Sequence, residues 1–207
     1  ERKISGQTCL SLGEEKKMST RGVIIVKENK KETMIYNHSD SYPSNMMIKI
    51  NQRLLECRKA NLNYLLYKEE ILSGRFTDTA IITINTIKEI DYLFHEYIYI
   101  LDFDKQTWSA YRTQFTEQGK DPKKLDNSKG KLIRILLNIP FDKEIKVYED
   151  EDLEEDKAII VEEREEGNSY EIIKSKNIYY LFNLSGELIF KGKNKEEVIR
   201  EAVIKKL

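Results

Sequence analysis

Short β-branched runs separated by polar turns occupy most of this chain, and one longer stretch steps at helical spacing. Gly22-Val23-Ile24-Ile25-Val26 reads as a strand, Asn29-Lys30-Lys31 as a turn, and Thr33-Met34-Ile35-Tyr36 as the returning strand of a hairpin. Residues 37–45 are dense in turn formers. Pro43 drives Tyr42 out of the helical region, and Ser44 or Asn45 is placed to cap a helix. That helix is expected over Met46–Leu72, where Met47, Ile50, Leu54 and Cys57 step by three and four and Leu55, Leu62 and Leu66 widen the stripe. Ser73-Gly74 supplies its stop.

Beyond it, Ala80–Ile84 and Leu132–Leu137 are strand-like. Tyr97–Phe103, apolar on both faces, reads as a central strand that turns at Asp104-Lys105-Gln106 into Thr107–Tyr111. The polar residues 113–130 read as an exposed loop, and 142–166 as an acidic connecting segment. The tail alternates into two strands, turns at Leu184-Ser185-Gly186, and ends in a helix capped by Asn194 with Val198, Ile199, Ala202 and Val203 inward. These patterns predict an α+β fold: a mainly antiparallel sheet packed by one long helix, with a C-terminal β-β-α module. The expected divisions are a polar leader (1–19), an α+β core (20–141), the acidic segment (142–166) and the module (167–207).

Composition narrows the function classes. Among 207 residues, 35 Lys and Arg nearly cancel 36 Asp and Glu, so the whole-molecule field favours neither nucleic acid nor membranes, and a charged partner must be met by a local patch. Cys9 and Cys57 lack CxxC spacing and make neither a zinc ribbon nor a disulfide framework; Cys57 reads as a buried free thiol. No long apolar run predicts a membrane span and the leader lacks a signal-peptide core, so a bacterial cytoplasmic location is expected. The tyrosines of the strands, Tyr97, Tyr99, Tyr111, Tyr170, Tyr179 and Tyr180, read as sheet packing; without interleaved bases they give no case for direct nucleic-acid binding.

One local patch stands out. Residues 142–166 hold thirteen acids against four bases, about −9 at full ionisation. Glu149, Asp150, Glu151, Asp152, Glu154, Glu155 and Asp156 form its densest part.

Three blocks, taken in order, resemble a family pattern. They are Ser19-Thr20-Arg21-Gly22, then Tyr36-Asn37-His38-Ser39-Asp40-Ser41-Tyr42-Pro43-Ser44, then Tyr99-Ile100-Leu101-Asp102-Phe103-Asp104 with Tyr111 beyond. The pattern is similar to that of a family of small phage and prophage proteins, with fungal relatives, that open on Thr-Arg-Gly. The likeness spans residues 18–112. It departs where the family carries a Gly-Leu-Gly turn and this chain has Asn45-Met46-Met47. The resemblance implies a phage-type origin and no particular reaction.

Candidate chemistry gathers on the same blocks. His38 and Asp40 lie two apart, as do Asp102 and Asp104, and the four together have the donor types for a divalent metal in phosphoester hydrolysis. Release of Thr20 as an N-terminus would expose an amine beside its hydroxyl, the arrangement of N-terminal-nucleophile hydrolases. Arg21, Tyr36, His38, Asp40 and Tyr42 could surround an anionic ligand, or Arg21 could pair with Asp40 and pin the Tyr-Pro turn. No cofactor is implied. The leading expectation is a protein that acts by binding, as an inhibitor of a host defence nuclease through its acidic surface. Its partner would be a host protein, a nucleic-acid-binding effector. The alternative is a small hydrolase working around Thr20–Pro43.

Overall fold

Two antiparallel strands, β1 (Gly22–Glu28) and β2 (Lys31–Asn37), form the expected first hairpin. The computed structural model describes residues 20–38, 40–60, 64–73, 81–82, 96–115, 130–150, 153 and 155–205. Two helices follow, α1 (Pro43–Lys59) and α2 (Leu65–Leu72). Then come β3 (Ile81–Ile82), β4 (Tyr97–Asp102), β5 (Thr107–Phe115) and β6 (Gly130–Pro140). Six strands make one sheet in the order β3-β2-β1-β4-β5-β6. β4 lies parallel to β1, which the intervening helices permit, and all other neighbours are antiparallel.

Alternation decides what each face meets. Ile24, Val26, Tyr97, Tyr99 and Leu101 join Met47, Ile50 and Leu54 of α1 in the main core, while Val23, Ile25, Met34 and Ile98 form a cluster on the other face. Cys57 lies in the main core as a free thiol.

The long helix expected over Met46–Leu72 is two helices. α1 starts at Pro43 with Tyr42 as its cap residue and no side-chain cap, rather than on Ser44 or Asn45. Proline at the first position has no donor of its own to satisfy and its ring presets the helical φ, and the Tyr42 carbonyl accepts from the Asn45 amide at 3.0 Å and the Met46 amide at 2.9 Å. α2 turns its own face inward: Tyr67, Lys68 and Ile71 are buried, whereas Leu66, expected on the stripe, is exposed. Lys68 is buried because both oxygens of the Glu28 carboxylate lie 2.9 Å from its ammonium.

The acidic segment is largely strand rather than connection. β7 (Ile145–Asp150) and β8 (Glu155–Ile160) form a two-stranded ribbon, and β9 (Glu163–Glu166) opens a second sheet with β10 (Tyr170–Ser175), β11 (Ile178–Asn183) and β12 (Leu188–Gly192). α3 (Lys195–Ile204) closes this module, capped as expected by Asn194, whose side chain accepts from the Glu196 amide. Val198 and Ala202 are buried beneath it; Val203, expected inward, is exposed because it lies one residue past that stripe.

β7 belongs to both cores. Ile145 and Val147 face the main core beneath α1. On the alternate face, Lys146 reaches Glu171 of β10 at 2.7 Å, Tyr148 packs edge-on against Phe182 of β11, and Asp150 meets Lys191 of β12 at 3.3 Å. The ribbon is tied to α1 by Asn51, a buried amide that donates to the Lys143 carbonyl at 2.7 Å and accepts from the Ile145 amide at 3.1 Å. It stands in for a strand neighbour at the point where β7 begins. Asn51→Ala is expected to cost about 1–3 kcal/mol, because the buried Ile145 amide and the part-buried Lys143 carbonyl lose their partner at once. Denaturant unfolding of the variant beside the wild type measures it.

Candidate functional site

The sequence-predicted residues sort themselves by position along β1 and β4. At the Gly22 end, Ser41 is held on every side. Its amide donates to the Thr20 carbonyl at 3.2 Å, its Oγ accepts from the Asn37 side chain at 2.6 Å, and its carbonyl accepts from the Tyr99 hydroxyl at 2.5 Å. Gly22 lies directly beneath: a Cβ there would sit 2.5 Å from Ser41 Cβ and 2.7 Å from its Oγ. The glycine of the Thr-Arg-Gly block and the serine of the Tyr-Pro block are therefore two halves of one contact. Thr20 contributes its carbonyl to it, and the Arg21 carbonyl accepts from the Glu96 amide at 2.9 Å.

The rest of the Tyr-Pro block surrounds this contact at the surface. Asp40 adopts a left-handed conformation (φ 55°) that an aspartate tolerates in a tight turn. Asn45 closes the turn by donating to the Asp40 carbonyl at 2.7 Å, and the Tyr42 hydroxyl approaches the Asp40 carboxylate at 3.4 Å. The Tyr36 hydroxyl and His38 Nδ1 are 3.1 Å apart. Met46 and Met47 are buried in α1. Among the described residues, no carboxylate lies within ion-pairing distance of the Arg21 guanidinium, so the expected Arg21–Asp40 pairing is not what pins the turn.

Asp102 and Asp104 are elsewhere. Gly22 is level with Tyr97 and Lys27 with Asp102, so Asp102 sits five residues along β4 from the Gly22 end, about 17 Å at strand rise. Asp102 takes the Lys105 amide and ammonium and closes its own turn, and Asp104 takes the Asn29 amide and ties that turn to the one between β1 and β2, at the far end of the sheet. His38, Asp40, Asp102 and Asp104 are thus not brought together, and among the described residues no group of three possible metal ligands forms.

A different polar group does assemble at the Gly22 end. The Tyr97 hydroxyl donates to Asp156 of β8 at 3.1 Å, and Arg112, opposite Tyr97 on β5, adds its charge. Burial holds the Asp156 carboxyl above the usual carboxylate range, against the hydrogen bond from Tyr97 and the charge of Arg112. Burial first, and then Asp156, push the Tyr97 hydroxyl up. Tyr97 and Asp156 escaped notice as partners because one read as sheet packing and the other as part of a charge run. The only sequence signal was the two-residue spacing that puts Tyr97 and Tyr99 on one face.

The acidic surface is less free than its composition suggests. Asp142 pairs with Arg58, Glu144 with Arg164, Asp150 with Lys191, Glu155 with Lys157, Glu163 with Lys174 and Glu165 with Lys195. Of the seven densest acids, Asp150 and Asp156 point inward on opposite faces of the ribbon and Glu149 is exposed. Glu151, Asp152 and Glu154 lie outside the described residues.

Two consequences can be measured. Gly22→Ala should destabilise by about 1–3 kcal/mol, since Ser41 has no direction in which to yield, and a thermal melt reads the loss. Asp156→Asn keeps an acceptor for Tyr97 and removes an ionisation whose folded pKa lies above the ordinary 3.8. The wild-type contribution is full below that ordinary value and is lost as pH rises through the raised one. The stability of the variant relative to wild type should therefore increase as pH is raised across that window. Asp102 behaves oppositely: its desolvation is outweighed by the Lys105 hydrogen bonds, its pKa is lowered, and its contribution is lost as pH falls.

No helix among the described residues is long and apolar enough to cross a membrane. No family model, curated protein or solved structure matches this chain.

Proposed function

We propose that the protein acts by binding a host protein, as an inhibitor of a nucleic-acid-binding defence nuclease, through the acidic end of the β7–β8 ribbon. The observation that carries this reading is the combination of charge and support. Seven of the eight residues 149–156 are acidic. Of these, Glu149, Asp150, Glu155 and Asp156 lie at the ends of β7 and β8, in a ribbon whose base is clamped by Asn51 and whose flanks are held by Tyr97 and Lys191. Carboxylates presented from a fixed scaffold lose little conformational freedom on binding, and they match a groove built to take phosphates. The phage-type resemblance supports the setting. The polar residues of the Thr20–Pro43 blocks support it too, since Asn37 and Ser41 are spent, with Tyr99 of β4, on holding the chain together.

A second reading, a small hydrolase at the Thr20–Pro43 end, draws on the raised carboxyl of Asp156 beside Tyr97. Capture from bacterial lysate separates the two. For the binding reading, a stoichiometric protein is retained at about 0.1 M salt and released at about 0.5 M. Charge reversal by Glu149→Lys with Glu155→Lys should weaken capture at least tenfold, and His38→Ala or Asp40→Ala should leave it unchanged. Capture that survives the reversal, or that is lost with His38→Ala or Asp40→Ala, overturns the acidic-surface reading.

A further inference from the structure

Among the described residues β12 is an edge strand, bonded to β11 on one side only. A cleft of about 280 Å³ runs beside it, lined by residues 187–191 and, opposite them, by Glu149 and Asp150 at the end of β7. Leu188 of one face of β12 and Ile189 and Phe190 of the other all line it, as where a strand is met edge-on. The irregular register between β11 and β12 adds to this. Tyr180 is opposite Lys191 and Phe182 is opposite Leu188, so the extra residue at this point brings Leu188 and Lys191 to the same face, towards β7.

The charges of the cleft are unequal. Lys191 is taken by Asp150, which is itself buried. Glu187 is exposed and meets the neutral Asn183 amide, and Glu149 is exposed. Glu187 therefore stands on the rim of this edge without a paired base among the described residues, and Glu149 lines the cleft from the end of β7, also without one.

We infer that this cleft seats an extended basic segment of the protein partner. Its backbone runs alongside β12, an aliphatic side chain rests on Leu188, and flanking lysines or arginines meet Glu149 and Glu187. Strand addition supplies hydrogen bonds to any sequence, and the rim supplies the choice of sign. The same rim repels phosphates. At about 280 Å³ the cleft is at the lower limit for a small-molecule site but fits a stretch of chain. The inference rests on the acidic-surface reading and names the part of that surface that grips the partner.

The test titrates the isotope-labelled intact chain with the capped peptide Lys-Ile-Lys-Ile-Lys, followed by amide chemical shifts. Saturable changes are expected at Glu149, Asp150 and residues 187–191, with a dissociation constant below about 1 mM at about 50 mM salt. Raising salt to about 300 mM should weaken binding at least threefold. Glu149→Gln with Glu187→Gln, both exposed and isosteric, should weaken it at least fivefold while the remaining spectrum stays unchanged. The capped peptide Glu-Ile-Glu-Ile-Glu should leave the cleft silent. Absent changes, changes centred elsewhere, or binding indifferent to the double variant overturn the inference. So do shifts at residues 187–191 that follow protein concentration without peptide, which assign the edge to a second copy of the chain. A silent cleft beside a lysate partner lost on Glu149/Glu155 reversal removes this inference and leaves the acidic-surface reading standing; a seated peptide without such a partner does the reverse.

Discussion

Ser41 lying on Gly22 is the contact from which the rest of the chain takes its position. Its amide, hydroxyl and carbonyl are each bonded, to Thr20, Asn37 and Tyr99 respectively. These partners come from the chain just before β1, from the end of β2 and from β4, so one serine holds the hairpin and the parallel strand in mutual register. It also sets where α1 begins, two residues later, with Pro43 starting the first turn. A buried serine with a free donor or acceptor would be a liability; one bonded at every polar atom specifies a single arrangement.

From that start, α1 carries Asn51 to the place where β7 begins. The ribbon then serves as a shared wall. Its even residues, Lys146, Tyr148 and Asp150, engage the C-terminal sheet, and its odd residues, Ile145 and Val147, fill the main core. Two apolar clusters are thereby joined by one pair of strands. This arrangement also explains why the acidic segment is heavily partnered: bases from outside it, Arg58, Lys174, Lys191 and Lys195, are brought to its flanks by the folding of the two sheets around it. Exposed pairs of this kind add little stability each. Their effect is to offset part of the segment's negative charge from the two sheets that flank it.

Much of the fold was legible from the chain. The β-branched run of β1, the alternation through Tyr97–Leu101, the Asn194 cap and the Leu184-Ser185-Gly186 turn each state a local preference strong enough to survive folding. The split between α1 and α2 was not legible, because the apolar pattern continues through it and only packing shows that Tyr67 and Ile71, rather than Leu66, face inward. Nor was the strand character of 142–166. Charge dominates the composition there, while the alternation that builds β7 rests on only Ile145, Val147 and Tyr148.

Of the candidate site, the sequence by itself determined the residue types and their local turns: Asp40 in its tight turn, Asp102 and Asp104 at a hairpin, and a dense run of carboxylates at 149–156. Local spacing decides the turns of Asp40 and Asp102, whose partners Asn45 and Lys105 are only a few residues away. Which of those groups meet was decided by tertiary structure alone. The parallel register of β1 and β4 sent Asp102 and Asp104 to the opposite end from His38 and Asp40, and the docking of the ribbon brought Asp156 to Tyr97 across 59 residues of chain. Contacts at that separation depend on the relative placement of whole elements, which no local pattern of residues encodes.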